Sequence, residues 1–382
     1  MVKRTKEEKR YIIINTILLL ISLVLISYIC LLIKGNKGTI INEYENSVNV
    51  LVSTLQVEAS NTELTETIEN KEYILPTINA DIQTNEEYDF NEINNNKYYY
   101  NQLNDNAKLI YDTIEKNLNN MKSGVYKIKL PNSVADVLQY SNGDTMLDRN
   151  FQSAWDALSL DRVDIFFIDV SKINLSIKKT TYGNNVSYSL SIVPRDQTGY
   201  LEDGLTDEAS VNLLLNKVKN VRDKIISNIT GDRYSKVLQV HDWIIENLEY
   251  SLDIQNENVY NLYGALIDRV AVCEGYAEAL KYALDALEIP CILVSGTATN
   301  SNGTTESHAW NYVQIEGRWY AVDTTWDDPV VKGYGYISNS TKHKYFLQGA
   351  KTMNENHTTK GKFTETGQEF TYPELEKNAY QK

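Results

Sequence analysis

The hydrophobic pattern divides the chain into an apolar run, a polar stretch and a long region of mixed periodicity. Residues 11–33 are 23 consecutive positions without a charge. At about 1.5 Å per residue, a helix of that length crosses a hydrocarbon core of about 30 Å. The pattern therefore predicts a transmembrane helix over 11–33. Lys3, Arg4, Lys6, Lys9 and Arg10 precede it against Glu7 and Glu8, while only Lys34 and Lys37 follow closely. That asymmetry predicts a cytoplasmic tail over 1–10 and an extracytoplasmic remainder. A cleaved leader is the rival, but Leu31-Leu32-Ile33-Lys34 offers no small-x-small site.

Residues 41–100 hold 12 acidic residues against Lys71 and Lys97, with no glycine and one proline. Without a sustained apolar stripe, this predicts an acidic, mostly disordered stalk over 34–104. From about Asn104 the periodicities are those of packed structure. Ile110, Ile114, Leu118 and Met121 recur at helical spacing, then Tyr126, Ile128 and Leu130 alternate as in a strand. Phe151, Ala154, Trp155 and Leu158 predict another helix, followed by an apolar strand over 163–170. Leu175 and Ile177, then Val186, Tyr188, Leu190 and Ile192, form hairpin arms around Tyr182-Gly183-Asn184-Asn185. Leu214, Val218, Val221 and Ile225 mark a long helix. Residues 105–230 thus read as a supporting α+β domain without a legible task. Tyr234, Val237, His241, Ile244 and Leu248 share one helix face, so His241 reads as a satisfied core histidine.

Composition narrows the function classes. The 382 residues are 42% hydrophobic and 23% charged, which suits a sizeable core and excludes wholesale disorder. Subtracting 37 basic from 51 acidic residues gives −14, the wrong sign for tracking phosphates, so no nucleic-acid partner is expected. Cys30, Cys273 and Cys291 contain no C-x-x-C pair and are too few for a disulfide scaffold. Cys30 falls in the apolar run and reads as a membrane-buried thiol. Cys291 begins the apolar stretch Cys291-Ile292-Leu293-Val294 and reads as an inert buried one.

Cys273 differs. Cys273-Glu274-Gly275-Tyr276-Ala277 opens a segment whose Leu280, Ala283, Leu284 and Leu287 continue at helical spacing until Ile289-Pro290. A cysteine at a helix N-terminus faces unpaired N–H groups and the positive end of the dipole, which stabilise a thiolate. Further on, residues 307–315 and 318–323 flank Glu316-Gly317 as a β-hairpin. A two-residue turn pairs Ile315 with Arg318, sets His308 opposite Thr325, and makes Asp323 the diagonal neighbour of His308 on the same face. A carboxylate that orients an imidazole is the second half of a nucleophile, base and orienter set, with Cys273 the candidate nucleophile. Spacing alone does not bring Cys273 to that hairpin. The Cys273 N–H is a natural oxyanion donor, with Asn261 and Tyr263 as candidate helpers. Trp310 and Trp326 read as walls of the site or core packing. Asp327 and Asp328, adjacent carboxylates without further ligands, read as a solvated turn, and no metal or cofactor is expected. Residues 296–303 read as a polar loop beside the hairpin.

The segment from about Val240 to Phe346 resembles the transglutaminase-like superfamily. The resemblance is carried by His241-Asp242-Trp243-Ile244, Val272-Cys273-Glu274-Gly275-Tyr276-Ala277, Ile289-Pro290-Cys291 with Val294-Ser295-Gly296-Thr297, His308-Ala309-Trp310, and residues 319–328. It is most similar to the bacterial branch related to cytokinesis-type transglutaminase/protease-like proteins. The resemblance implies that Cys273, His308 and Asp323 are the catalytic triad. It also implies a papain-like α+β core, with the nucleophile helix packed on an antiparallel sheet, here over 231–375 and followed by a tail at 376–382. Many relatives carry a glycine shortly before the nucleophile, where this chain has Arg269-Val270-Ala271-Val272.

The expected protein is a single-pass, membrane-anchored extracytoplasmic cysteine enzyme acting on protein or cell-wall peptide amides through a thioacyl intermediate. It is either a peptidase or amidase, or an amine-transferring enzyme. The alternatives are a non-catalytic envelope binding or scaffold protein that keeps the fold, and a Cys273–Cys291 disulfide that blocks the nucleophile.

Overall fold

The computed structural model describes residues 87–90, 97–251, 253–328 and 339–382. The helix expected over 11–33, Cys30 and most of the expected stalk lie outside these residues. Among the described residues, no helix is long and apolar enough to cross a membrane. Residues 79–382 form one compact unit, within which both the expected supporting part and the expected catalytic part lie.

Packed structure begins earlier than the helical periodicity indicates. Tyr88, Phe90 and Tyr99 are buried, although their segment is acidic and lacks an apolar stripe. Polar anchoring explains this: Tyr88 donates its hydroxyl to Asp164 (3.0 Å), and the N–H groups of Tyr99 and Tyr100 donate to Asp161 (3.0 and 2.9 Å). Burial pushes the Asp161 carboxyl up to about 6, against those hydrogen bonds.

Helix α1 (Asp105–Glu115) starts where Asn104 accepts the Ala107 N–H, and it buries Ala107, Ile110, Tyr111 and Ile114. After the short α2 (Leu118–Met121) and β1 (Ile128–Lys129), α3 (Gly143–Asp161) supplies Ala154, Trp155 and Leu158 to the core. The strand expected over 163–170 is instead two 3-10 turns, Val163–Ile165 and Val170–Lys172, with a single bridge from Ile168 to Leu201. Val163, Ile165 and Phe167 are buried as such a run demands. The Arg162–Asp164 ion pair (2.8 Å) is buried at the first of these turns.

β2 (Ile173–Tyr182) and β3 (Asn185–Pro194) form the expected hairpin, and β1 adds to β3. Helix α4 (Glu208–Ser227) begins with a capping box between Asp207 and Ser210. α5 (Arg233–Asn247) is capped by Asp232, which accepts the Ser235 N–H at 2.8 Å. β4 (Glu249–Tyr250) and β5 (Val270–Ala271) pair in parallel just before α6 (Cys273–Ala286).

α6 packs against the antiparallel sheet of β6 (Cys291–Thr299), β7 (Thr305–Ile315), β8 (Arg318–Val322) and β9 (His357–Thr359), ordered β8-β7-β6-β9. Tyr276, Ala277, Leu280, Ala283 and Leu284 fill the interface. Glu316 (φ 51°) and Gly317 (φ 77°) make the two-residue turn, with Ile315 opposite Arg318. Beyond β8 come the one-turn helices α7 (Thr324–Asp327), α8 (Asn339–Lys342) and α9 (Ala350–Met353). Gly296 lies inside β6, so the polar loop is shorter than 296–303, confined to the residues between Thr299 and Thr305.

Candidate active site

Cys273 is the first residue of α6 and half-buried, after a Val272 cap whose side chain accepts none of the first-turn N–H groups. Those donors stay turned toward whatever approaches the thiol. The helix is pinned to the sheet one turn on, where the buried Asn311 of β7 donates its side-chain amide to the Ala277 carbonyl at 3.0 Å. Three residues before Asn311 on the same strand is His308. Cys273 stands close enough to His308 to contribute to the upward shift of its imidazole.

His308 Nε2 lies 2.8 Å from Asp323 Oδ2, which leaves Nδ1 as the ring atom for Cys273. The expected diagonal reach of His308 to Asp323 is present, but its geometry differs. β8 ends at Val322, and Asp323 caps α7 by accepting the Trp326 N–H at 3.1 Å. Thr325 therefore lies within a helical turn and not opposite His308. The cap holds one carboxylate oxygen and points the other at the imidazole.

Burial works against charge on both partners and is outweighed. His308 is held up at about 10 by the Asp323 carboxylate and by Cys273, against the desolvation that lowers it. Asp323, fully buried, is held well below the usual carboxylate range by His308 and then His357, again against desolvation. Both shifts favour the form in which the imidazole is protonated and the carboxylate ionised.

His357 was not singled out in the sequence. Its Nε2 lies 3.0 Å from the same Asp323 Oδ2, and its Nδ1 lies 2.6 Å from Asn356 Oδ1. It comes from β9, about 50 positions along the chain, and no local spacing links it to the hairpin. Gly296 makes the arrangement possible, being paired with His308 on one side and Thr359 on the other. A Cβ at Gly296 would stand 2.1 Å from the Thr358 carbonyl and 2.8 Å from the Trp310 ring. Only glycine lets the three strands close so that both imidazoles reach one carboxylate. The rings of Trp310 and Trp326 lie 5.8 and 5.5 Å from that of His308, and Trp326 is 4.6 Å from His357. They wall the histidines from water.

Cys273 and Cys291 are free thiols, which removes the disulfide reading for this structure. Cys291 is fully buried in β6, and burial pushes its thiol far up, as an inert core cysteine requires. Asn261 Oδ1 accepts the Tyr263 N–H (2.9 Å), so that oxygen is committed to its own loop. Asn261 and Tyr263 line a cleft of about 790 Å³ with Asp169, Asp203, Glu274 and Glu278, and the triad side chains are not part of its wall.

The solvated turn expected at Asp327-Asp328 is not one. Asp327 is fully buried, accepts the Tyr345 N–H and meets His241 Nε2 at 3.1 Å, and Asp328 accepts the Tyr276 hydroxyl at 2.5 Å. The pattern of α5 placed His241 in the core, but not its carboxylate partners, Asp327 and Asp242 (3.0 Å).

Residues 219–324 match the sequence model of the transglutaminase-like superfamily. That stretch is a transglutaminase-like domain. It runs from within α4 to the first residue of α7, so it contains Cys273, His308 and Asp323 and stops before His357. The chain is 26% identical over 144 residues to the kyphoscoliosis peptidase of Mus musculus, covering 34% of this chain and 21% of that protein. It is 25% identical over 157 residues to the Homo sapiens form, covering 36% and 23%. The chain thus spans about a fifth of the length of the curated relatives it matches. A crystal structure of a TGase aligns at 14% identity with a TM-score of 0.29, over 46% of this chain and 50% of that one.

Proposed function

We propose that the protein is a cysteine enzyme that cleaves or transfers carboxamide or peptide acyl groups, with Cys273 as nucleophile, His308 as proton carrier and Asp323 as orienter. The observation that carries this reading is the buried pair of His308 Nε2 and Asp323 Oδ2 at 2.8 Å, with Cys273 at the start of α6 close enough to His308 to raise its imidazole. The proton of the Cys273 thiol resides on His308, as the imidazolium that Asp323 stabilises. The thiolate adds to the carbonyl carbon while α6 N–H groups face the developing oxyanion. Collapse breaks the C–N bond, the amine or ammonia leaves with the proton from His308, and a thioester remains on Cys273. Water or a primary amine then attacks, giving its proton to His308, and the thiolate is restored. Asp323 keeps the imidazole turned with Nδ1 toward sulfur throughout.

Hydrolysis and amine transfer differ only in the second nucleophile. The tryptophan wall around His308 favours exclusion of water, the condition an amine acceptor needs. Anchoring by residues 11–33, with the catalytic region outside the cytoplasm and acting on envelope proteins or wall peptides, belongs to the same proposal and rests on the sequence.

The test is acyl capture. The full chain is incubated with glutamine-containing peptides and analysed by intact mass, with and without a labelled primary amine. An adduct on Cys273 that is absent in Cys273→Ala and resolves into amine-labelled peptide supports transfer. Resolution to free acid supports hydrolysis. If no adduct forms on any amide, the binding-protein reading stands.

A further inference from the structure

One cluster outside the triad has the make-up of a metal centre. His241, Asp242 and His343 each offer one ligand atom, and these atoms lie within 4.8 Å of one another. Asp242 Oδ1 is 3.0 Å from His241 Nδ1 and 2.6 Å from His343 Nε2. The two imidazole rings are 5.1 Å apart at a 31° tilt, and the edge of Phe346 closes one side of both.

We propose that these three side chains bind a divalent transition-metal ion, with zinc as the ion that two imidazoles and one carboxylate suit. Zinc–ligand bonds of about 2.0–2.1 Å in a tetrahedron space neighbouring donors about 3.3 Å apart. The 3.0 and 2.6 Å separations therefore need to open by about 0.3 and about 0.7 Å, with the ion replacing the shared protons. Three protein donors leave a fourth position for water. Access suits this, because His241 is fully buried while the side chains of Asp242 and His343 are 36% and 24% exposed.

The second observation is what stands behind His241. A metal-bound imidazole almost always gives its other N–H to a carboxylate, which fixes the tautomer and ring orientation. His241 Nε2 lies 3.1 Å from Asp327 Oδ2, and Asp327 is itself immobilised by the Tyr345 N–H at 2.8 and 3.1 Å from its two oxygens. Nδ1 is thereby presented outward, toward Asp242 and His343, with its backing already in place. The competing set, His308, Asp323 and His357, is buried on all three members, and an ion there would take the Nε2 and the carboxylate that the triad uses.

The ion would hold α5 to the residue that follows α8, about a hundred positions later. Through Asp327, it would also brace the single turn of α7 whose cap is Asp323. Its role is structural, and no reaction step passes through it.

Zinc binding by the chelator-stripped full chain tests this without any substrate. Equilibrium dialysis is expected to give one equivalent per wild-type chain, with a raised melting temperature. His343→Ala and Asp242→Asn are expected to lose the ion. Asp327→Asn is expected to weaken binding about 10–100-fold, while Cys273→Ala and His308→Ala retain it. Cobalt in the wild-type chain gives a reading that needs no variant, since four-coordinate nitrogen and oxygen ligation has visible ligand-field bands. Failure of the wild type to take up zinc and show those bands would overturn the proposal. So would an ion kept by both His343→Ala and Asp242→Asn, or lost in His308→Ala.

Discussion

Asp323 and Asp327 stand one helical turn apart on α7, both fully buried and each bonded to a histidine, yet their carboxyls are pushed in opposite directions. Asp323 is held low because its Oδ2 faces two imidazoles, His308 and His357, and its Oδ1 takes the Trp326 N–H. Asp327 is raised to about 6 because burial outweighs the single imidazole it faces, and that ring, His241, is also engaged by Asp242. The residue type and the local helix are the same. What separates the two carboxyls is the number of imidazoles each faces, together with the charge of Asp323 itself, which pushes Asp327 up.

The comparison breaks most visibly at Asp323. Asp323→Asn should lower kcat by about 10³–10⁴, the scale seen when an orienting carboxylate is neutralised and the imidazole is left in the wrong tautomer. Steady-state rates on the amide substrate identified by acyl capture check this. Loss of the second imidazole should matter less. His357→Gln removes one hydrogen bond to a charged group, worth about 1.5–3 kcal/mol, so kcat/KM should fall about 10–100-fold with the Cys273 nucleophile intact.

The stability of the His308–Asp323 pair follows from its shifts. His308 is raised, so its contribution is full below the unfolded value of about 6.5 and fades as pH rises through its folded value of about 10. Asp323 is lowered, so its contribution is present above its unfolded value of about 3.9 and is lost only as pH falls below the usual carboxylate range. Denaturant midpoints of wild type and His308→Gln should therefore differ most between about pH 4 and 6.5 and converge near pH 10. The smallest effect on chemistry belongs to the other carboxylate. Asp327→Asn should cost about 1.5–3 kcal/mol of folding stability, because it weakens the acceptor of a buried N–H and of His241. Cys273 alkylation should change by less than about threefold, ~0.6 kcal/mol. A loss of alkylation as large as that of Asp323→Asn would erase the distinction between the two.

Sequence legibility followed the same division. The helix that begins at Cys273, the Glu316-Gly317 hairpin and the reach from His308 to Asp323 were all readable, because periodicity and turn chemistry are local signals. His357 and the burial of Asp327 were not. Both depend on β9 and on Tyr345 being folded back against α7, and nothing in the spacing announces a contact made across 20 to 50 positions. The apolar run at 163–170 misled because hydrophobicity reports burial, and burial is met equally well by 3-10 turns around an Arg162–Asp164 pair. Tyr88 and Tyr99 belong to no apolar periodicity, because polar hydrogen bonds as well as apolar bulk anchor them.

The central claim is that Cys273 is activated by an imidazole that Asp323 keeps charged and oriented. Iodoacetamide alkylation of Cys273 in the full chain at pH about 6.5, followed by peptide mapping, tests it most directly. Rapid, selective labelling that falls at least about tenfold in both His308→Ala and Asp323→Asn, with Cys291 untouched, is the expected result. Equal labelling of Cys273 in all three proteins would contradict the account.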